Sequence, residues 1–370
     1  MRSRDICKPV YCTGCEACAN VCPHDAITMQ ADWKGFRRPH IDSSKCVDCK
    51  LCTKTCPVNT PIQPFKYEEG RVFIDKNETF LTNASSGGAF GAIARHVLAL
   101  NGVVFGACMD ETYSVNYIGI ERTEDLKLLH GSKYVQSYVN DIYRKVKEEL
   151  RKNRYVLFCG CPCQVAGLKN FLRKPYEKLV TMDLICHGVP SQPYFKDYVS
   201  DLLKEKRKDG ITSFRFRWKD YSSQKEHNNS FSVYTGFYNK DYYMTYFLWG
   251  KGYRPSCYRC PFAGGERQGD FTIGDFWNNK VAQLPIDDSR GASLVLLNTD
   301  KARQLEYIFK ESGTCLPVHT LKDAIGGTGG QLKHPCKHDI RCELIYILYK
   351  LFGLKGPKTL FKIEKIRFKL

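Results

Sequence analysis

Hydrophobic and polar positions along this chain set up alternating helices and strands from Ser85 onward, after a cysteine-punctuated start. Phe90, Ile93, Ala94, Val97 and Leu98 follow Ser85-Ser86-Gly87-Gly88 at a three-and-four spacing. That spacing predicts an amphipathic helix capped by serine and stopped by Gly102. Residues 103–106 read as a buried strand and 117–120 as another. A charged helix over 141–152 leads into a strand at 155–159, followed by a helix over 164–172 and a strand over 179–186. A further helix over 193–207 is opened by Pro193 in its first turn. Such alternation predicts an α/β domain with a mostly parallel or mixed sheet. Past residue 210, Ser213-Phe214-Arg215-Phe216-Arg217-Trp218 predicts a strand with one exposed face. Residues 341–370 mix aliphatic and aromatic side chains with lysines and predict one or two amphipathic helices broken at Gly356-Pro357.

The first sixty residues have a different logic, an internal repeat. Cys12-x2-Cys15-x2-Cys18-x3-Cys22-Pro23 returns as Cys46-x2-Cys49-x2-Cys52-x3-Cys56-Pro57. Pro61 and Pro64 mark an extended connector, since proline biases the residue before it away from helix. A length of 370 residues accommodates two or three domains. The expected division is 1–62, 63–335 and a basic amphipathic segment over 336–370.

Composition narrows the class. With 43% hydrophobic and 26% charged residues the chain reads as globular. It has no apolar run long enough to span a bilayer, and its first residues lack the apolar centre of a signal peptide, so the expected location is the cytoplasm. In that compartment nineteen cysteines, nine of them before residue 57, point to metal ligation rather than disulfides. A formal charge of +17 implies acidic partners or surfaces. Nucleic acid is not among those expected, because the basic aromatic stretch around 213–218 matches no recognised binding module.

The repeated run is the two-cluster ferredoxin signature, in which the fourth cysteine of each run ligates the other cluster. Cys12, Cys15, Cys18 and Cys56 are thus expected on one 4Fe-4S centre, and Cys46, Cys49, Cys52 and Cys22 on the other. Structural zinc, the alternative, uses paired knuckles rather than triplets closed by a distant fourth thiolate. Cys7 falls outside the pattern and reads as a bystander. A second constellation is scattered: Cys159-Gly160-Cys161-Pro162-Cys163-Gln164, Cys186-His187-Gly188 and Cys257-Tyr258-Arg259-Cys260. Each lies at or beside a predicted strand end, where an α/β sheet gathers its ligand-binding loops. One CxxC pair plus cysteines from two other loops would close a sulfur site; buried cysteines serving as small hydrophobes are the alternative.

Those loops, together with Ser85 to Phe90, Gly131-Ser132-Lys133-Tyr134 and the stretch from Phe271 to Trp277, resemble the landmarks of the family formed by the beta subunits of coenzyme F420 hydrogenases and dehydrogenases. The resemblance runs to about residue 280. It implies FAD and a further 4Fe-4S cluster, mapped onto Cys163, Cys186, Cys257 and Cys260, with Cys159 or Cys161 as alternatives to Cys163. Members often carry a non-cysteine residue at the position of Cys161.

The helix start at Ser86, Gly87 and Gly88 would offer backbone N–H groups to a pyrophosphate. Ser132, Lys133, Tyr134 and Gln164 complete the expected flavin contacts. Lys133 would place a positive charge beside the reduced flavin, and His187 would relay protons. The ordinary alternatives are a capped helix with close-packed glycines, a solvated lysine and a hydrogen-bonded core histidine.

The resulting expectation is an iron-sulfur flavoprotein oxidoreductase. It would exchange electrons between clusters and a hydride-exchanging substrate, a deazaflavin coenzyme or a related small molecule, or a redox partner protein. An electron-relay subunit without its own substrate is the alternative. Contact with a membrane surface through residues 341–370 is conceivable but not favoured.

Overall fold

The computed structural model describes residues 5–66, 69–206, 213–217, 226–227, 230–232, 241–277, 279–318 and 332–368. The two cysteine runs repeat in backbone as well as in sequence. Each ends in a one-turn helix, Ala17–Val21 (α1) and Leu51–Thr55 (α2), that begins after a left-handed residue, Glu16 (φ 63) or Lys50 (φ 61). Each helix stops at an extended cysteine, Cys22 or Cys56, whose following proline favours that conformation. An antiparallel hairpin, Ile27–Ala31 (β1) and Arg37–Ile41 (β2), joins the runs, with Ile27 opposite Ile41.

The larger part is built on one eight-stranded sheet. Its strands are Glu69–Asp75 (β3), Val103–Met109 (β4), Val115–Ile120 (β5), Val156–Gly160 (β6), Leu179–Leu184 (β7), Phe271–Asp275 (β8), Ser293–Leu297 (β9) and Gly313–Val318 (β10). Their spatial order is β10-β3-β9-β8-β7-β6-β4-β5. The four central strands, β4, β6, β7 and β8, are mutually parallel, and antiparallel strands flank them on both sides. The sheet is therefore mixed. Only its centre is parallel, where α/β connections cover both faces.

Register divides the side chains between two cores. Val104, Leu157 and Val180 face Ala89–Ala99 (α3), whereas Val103, Phe105, Val156 and Phe158 face Ile142–Arg151 (α4) and Pro162–Leu172 (α5). Strands buried on both faces need continuous apolar runs, which Val156-Leu157-Phe158 supplies. A third, aromatic core brings Gln192–Lys206 (α6), Tyr242–Leu248 (α7) and Ile340–Phe352 (α8) together through Tyr194, Phe195, Tyr243 and Tyr346. Lys355–Phe368 (α9) packs back along α8.

Several expectations change. The helix after Ser85 is capped not by serine but by Gly88 at φ 91, a conformation glycine adopts without strain. Ser85 Oγ accepts from Ser132 N at 2.6 Å, and Ser86 Oγ donates to the Ala292 carbonyl at 2.7 Å, so both serines tie loops together instead. The last helices break at Gly353 (φ 57), not at Gly356-Pro357. Pro357 lies in the first turn of α9, where no N–H is required of it. Phe214 and Phe216 are both buried, and Arg217 is buried as well, so the strand at Ser213–Arg215 is less exposed than its alternation suggests. Trp218 and Arg207 lie outside the described residues.

The N-terminal module is docked rather than tethered. Arg144 Nε donates to the Asn20 carbonyl at 2.8 Å, Asn140 N donates to Glu16 Oε2 at 2.6 Å, and Asn170 Nδ2 donates to the Thr60 carbonyl at 2.7 Å. Module and sheet thus share one buried boundary.

Candidate iron-sulfur and flavin site

None of the nineteen cysteines is in a disulfide. Cys12, Cys15, Cys18 and Cys56 are all buried and lie within electrostatic reach of one another, whereas Cys52 has Cys22 as its cysteine neighbour. Cys46 and Cys49 are exposed on the molecular surface. Cys7 does not stand apart: its thiol lies against Cys12 and Cys56. With that contact and the charge of Arg254, the Cys12 thiol is held well below its ordinary range.

A second set of thiols surrounds a small cavity of about 60 Å³ at the carboxyl ends of β6 and β7. Its walls carry Cys161, Cys163, Cys186, Cys257, Cys260 and Cys336. Two features sort these six. Cys161 is the N-cap residue of α5 and closes a capping box with Gln164, whose Oε1 accepts from Cys161 N at 2.9 Å. Its sulfur also lies 3.7 Å from that of Cys186, so the two cannot occupy separate corners of a cubane in these positions. Cys336 approaches from residues beyond the sheet, 3.5 Å from the His187 carbonyl. Cys163 from α5, Cys186 from the loop after β7, and Cys257 and Cys260 at the 3-10 turn Pro255–Arg259 line the rest of the cavity. Burial raises the Cys163 and Cys257 thiols and takes Cys260 up to about 11. Bare thiolates are costly in such a place, and a cluster's iron is the cation that would offset them.

The loop carrying Cys260 is fixed by a buried ion pair. Asp183, at the end of β7, receives Arg267 Nη2 at 2.9 Å, Thr272 Oγ1 at 2.6 Å, Gln268 N at 2.7 Å and Gly269 N at 2.9 Å. Every lone pair of the carboxylate is used, so the charge is held without an orphan partner.

A larger cavity, about 380 Å³, opens beside the first, within the size range of small-molecule sites. The two share Ser137, Cys161, Gln164, Cys186, His187, Gly188 and Val189 as a common wall. The larger one is also lined by Ser86, Gly88, Ser132, Lys133 and Tyr134, so these residues from distant segments meet in one place. Gly87 is not on the wall. A Cβ there would stand 1.9 Å from the Phe73 carbonyl oxygen and 2.5 Å from Ser293 N, so this glycine lets α3 seat on β3 and β9.

The cavity carries a buried cation in Lys133, and a second cation, Arg95, stands near it, ion-paired through Nη2 with the buried Asp75 carboxylate at 2.7 Å. Lys133 Nζ donates to the Leu129 and His130 carbonyls, both at 2.9 Å, and burial brings its pKa down to about 8. At the first turn of α3, Arg95 and His130 flank Gly91. Among the described residues, Arg95 Nη1 and His130 Nδ1 are buried with no hydrogen-bond partner. Burial, aided by neighbouring cations, lowers His130 to about 4. A helix start with two orphaned nitrogens beside it is what an anionic group would satisfy.

His187 stands at the shared wall. Its Nδ1 lies 2.6 Å from Tyr253 Oη, which donates its own hydrogen to the Phe247 carbonyl. Nδ1 therefore carries the proton and Nε2 is the acceptor nitrogen. Burial lowers the imidazole to about 4. Asp275 accepts from Arg217 Nη1 at 2.8 Å on the far wall, and Trp277, half exposed, stands at the mouth.

The buried N-terminal thiols adjoin the second set. A Cβ on Gly167, one turn beyond Cys163 in α5, would stand 3.1 Å from Cys15 Sγ. Arg254, fully buried just before Cys257, donates through Nε to the Cys12 carbonyl at 2.6 Å and through Nη2 to Cys12 Sγ at 3.4 Å. Sequence reading missed Arg254, Arg95, His130 and Cys336. His130 directly precedes the Gly131-Ser132-Lys133 motif and was within reach; nothing local distinguishes a buried arginine from a surface one.

Residues 153–316 match the family model for the C-terminal part of the coenzyme F420 hydrogenase/dehydrogenase beta subunit, and residues 11–60 match the 4Fe-4S dicluster domain. Over residues 153–316 the chain belongs to the family of F420 hydrogenase/dehydrogenase beta subunits, and a two-cluster ferredoxin domain lies at its N-terminal side. It is 26% identical over 186 residues to the coenzyme F420-dependent sulfite reductase of Methanocaldococcus jannaschii, which covers 48% of this chain and 28% of that protein. It is 22% identical over 186 residues to one subunit of the F420H2 dehydrogenase of Methanosarcina mazei, 47% of this chain and 53% of that one. A ferredoxin of Alicyclobacillus acidocaldarius is 39% identical over 67 residues, 18% of this chain and 80% of the ferredoxin. The chain thus spans only 28% and 53% of the two F420-linked relatives. Among solved structures, the F420-reducing NiFe hydrogenase complex of Methanosarcina barkeri contains a chain that aligns with a TM-score of 0.47 at 17% identity, over 81% of this chain and 93% of that one. The chain is an iron-sulfur protein related to oxidoreductases.

Proposed function

We propose that this chain is an FAD-dependent iron-sulfur oxidoreductase that exchanges electrons between 4Fe-4S clusters and a hydride donor or acceptor, a deazaflavin coenzyme or a related small molecule. The observation that carries the reading is the wall shared by the six-thiol pocket and the 380 Å³ cavity, with Cys186 and His187 facing both. Bound there, FAD supplies two-electron hydride exchange on one side and single-electron exchange with clusters on the other. Gly88 and the first turn of α3, with Arg95 and His130, would hold its phosphates, and Lys133 would stabilise added negative charge. Cys163, Cys186, Cys257 and Cys260 would ligate the adjoining cluster. In the N-terminal domain, Cys12, Cys15, Cys18 and Cys56 would hold the inner cluster, and Cys22, Cys46, Cys49 and Cys52 the outer one.

The arrangement runs inward from the surface: exposed Cys46 and Cys49, then buried Cys15 against α5, then Cys163, then the cavity. A relay subunit without its own substrate would need no open cavity. Here the cavity has a mouth marked by Trp277, which favours an enzyme.

Anaerobic purification followed by iron, sulfide and flavin analysis tests the reading. The expected result is one FAD and about twelve irons per chain, from three clusters of four. Cys257→Ser should lose about four of those irons and Cys336→Ser none. About eight irons in a fully loaded, flavin-containing sample removes the third cluster, and a flavin-free protein removes the enzyme reading.

A further inference from the structure

The helical hairpin α8–α9 is seated by one face and leaves an apolar face in water. Inward, Cys342, Ile345, Tyr346 and Phe361 are buried. Tyr346 Oη accepts from Ser191 N at 3.0 Å and donates to the Gly252 carbonyl at 2.8 Å. That face completes the aromatic core and accounts for the hairpin being folded. Outward, Ile340, Ile347, Leu351, Phe352, Ile363 and Ile366 are exposed, Ile340 by 76% and Ile366 by 81%. On α8, residues 340, 347 and 351 are spaced to share one stripe along the helix. A hairpin that merely closed the core would carry polar residues there.

Charge on the same hairpin is predominantly positive. Residues 340–370 contain eight lysines and arginines against two glutamates. Both glutamates are engaged: Glu343 with Lys34 and His338, Glu364 with Tyr246 and Arg341. Lys350, Lys355 and Lys362 are exposed among the apolar side chains. Trp33, half exposed at the tip of the β1–β2 hairpin, lies beside Lys350, whose Nζ is 5.6 Å from its ring centroid. Among the described residues no helix is long and apolar enough to cross a membrane.

We propose that this hairpin, with Trp33 beside it, rests on an anionic lipid surface. Aliphatic side chains flanked by lysines, with tryptophan at the edge, match a helix lying in the headgroup plane, where lysine stems extend along the apolar surface and their charges reach lipid phosphates. A protein partner fits less well. Cores of protein interfaces are depleted in lysine, and this face carries lysines throughout. The proposal does not depend on the redox chemistry.

The test is co-sedimentation of the purified full chain with vesicles, either phosphatidylcholine alone or one part phosphatidylglycerol to two parts phosphatidylcholine. The bound fraction should be about tenfold higher on the anionic vesicles and should fall as salt is raised. The double variant Leu351→Glu, Phe352→Glu, and separately Lys362→Glu, should weaken binding to those vesicles, with iron content and circular dichroism unchanged because these positions face solvent. Equal or absent sedimentation of the unmodified chain with both vesicle types overturns the proposal. So does retention of full binding by the double variant. A chain that is dimeric in solution, is made monomeric by the same double variant and ignores vesicles assigns the face to a second copy instead.

Discussion

The guanidinium of Arg254 is hydrogen-bonded to Cys12, reaching its sulfur from Nη2 at 3.4 Å and its carbonyl from Nε at 2.6 Å. One buried side chain from the turn that carries Cys257 therefore touches Cys12, the cysteine proposed above for the inner cluster. Gln136 Oε1 and the Arg37 carbonyl accept two more of its N–H groups, at 3.0 and 2.9 Å.

Cluster potentials respond to nearby charge and to hydrogen bonds on the ligating sulfurs. A cation next to Cys12 favours the reduced cluster, so removing it should lower the midpoint potential. Arg254→Met is expected to shift the inner cluster downward by about 59 mV or more, a tenfold change for a one-electron couple. Arg254→Lys should recover part of the shift by keeping the charge without the planar fork. Redox titration followed by EPR reads both, with the outer cluster as an internal reference. An unchanged midpoint in Arg254→Met would contradict the role assigned here.

Gly167 sets the approach of the two domains, because Cys15 Sγ and Tyr143 Oη would each stand 3.1 Å from a Cβ at that position. Tyr143 is held by its hydrogen bond to the Gln164 carbonyl at 2.7 Å, which limits how far it can yield. Gly167→Ala should cost about 1–3 kcal/mol through overpacking and lower Tm, and Gly167→Leu should also expose the N-terminal domain to protease. Helix propensity alone predicts the opposite, a gain of about 1 kcal/mol for alanine over glycine. A raised Tm for Gly167→Ala would show that the contact does not govern docking.

Lys133 gives a pH dependence of definite sign. Its folded pKa, lowered by burial to about 8, lies below the ordinary lysine value of 10.5. Between those values the unfolded chain holds the proton and the folded one does not. The contribution of this residue to stability therefore rises with pH across that window, by at most roughly 1.4 kcal/mol per pH unit. In chemical denaturation at pH 7, 8, 9 and 10, the stability difference between wild type and Lys133→Met should grow in favour of wild type above about pH 8. A difference flat with pH would place the ammonium in water.

How much of this was legible in the sequence depended on range. The ferredoxin cysteines were readable because the chemistry dictates their spacing within ten residues, whereas Cys163, Cys186, Cys257 and Cys260 were singled out only through the family resemblance. The central parallel strands followed from runs such as Val156-Leu157-Phe158. Long-range contacts were not readable. Gly87 is required by the Phe73 carbonyl, the cap is Gly88 because both serines bond to other loops, and Arg254 meets its partners more than a hundred positions away. Cys7 looked idle because it falls outside the repeat, although its thiol lies against Cys12, five residues on, as well as the distant Cys56.

The most direct test of the central claim, a line of cysteine sets from the surface to a flavin cavity, is stopped-flow reduction with a reduced ferredoxin as donor, following the flavin's visible absorbance. The unmodified chain should bleach its flavin rapidly. Cys257→Ser, checked to retain FAD, should bleach it at least a hundredfold more slowly from ferredoxin while still accepting hydride from a small-molecule donor. Equal bleaching rates from ferredoxin in the two proteins would contradict the account.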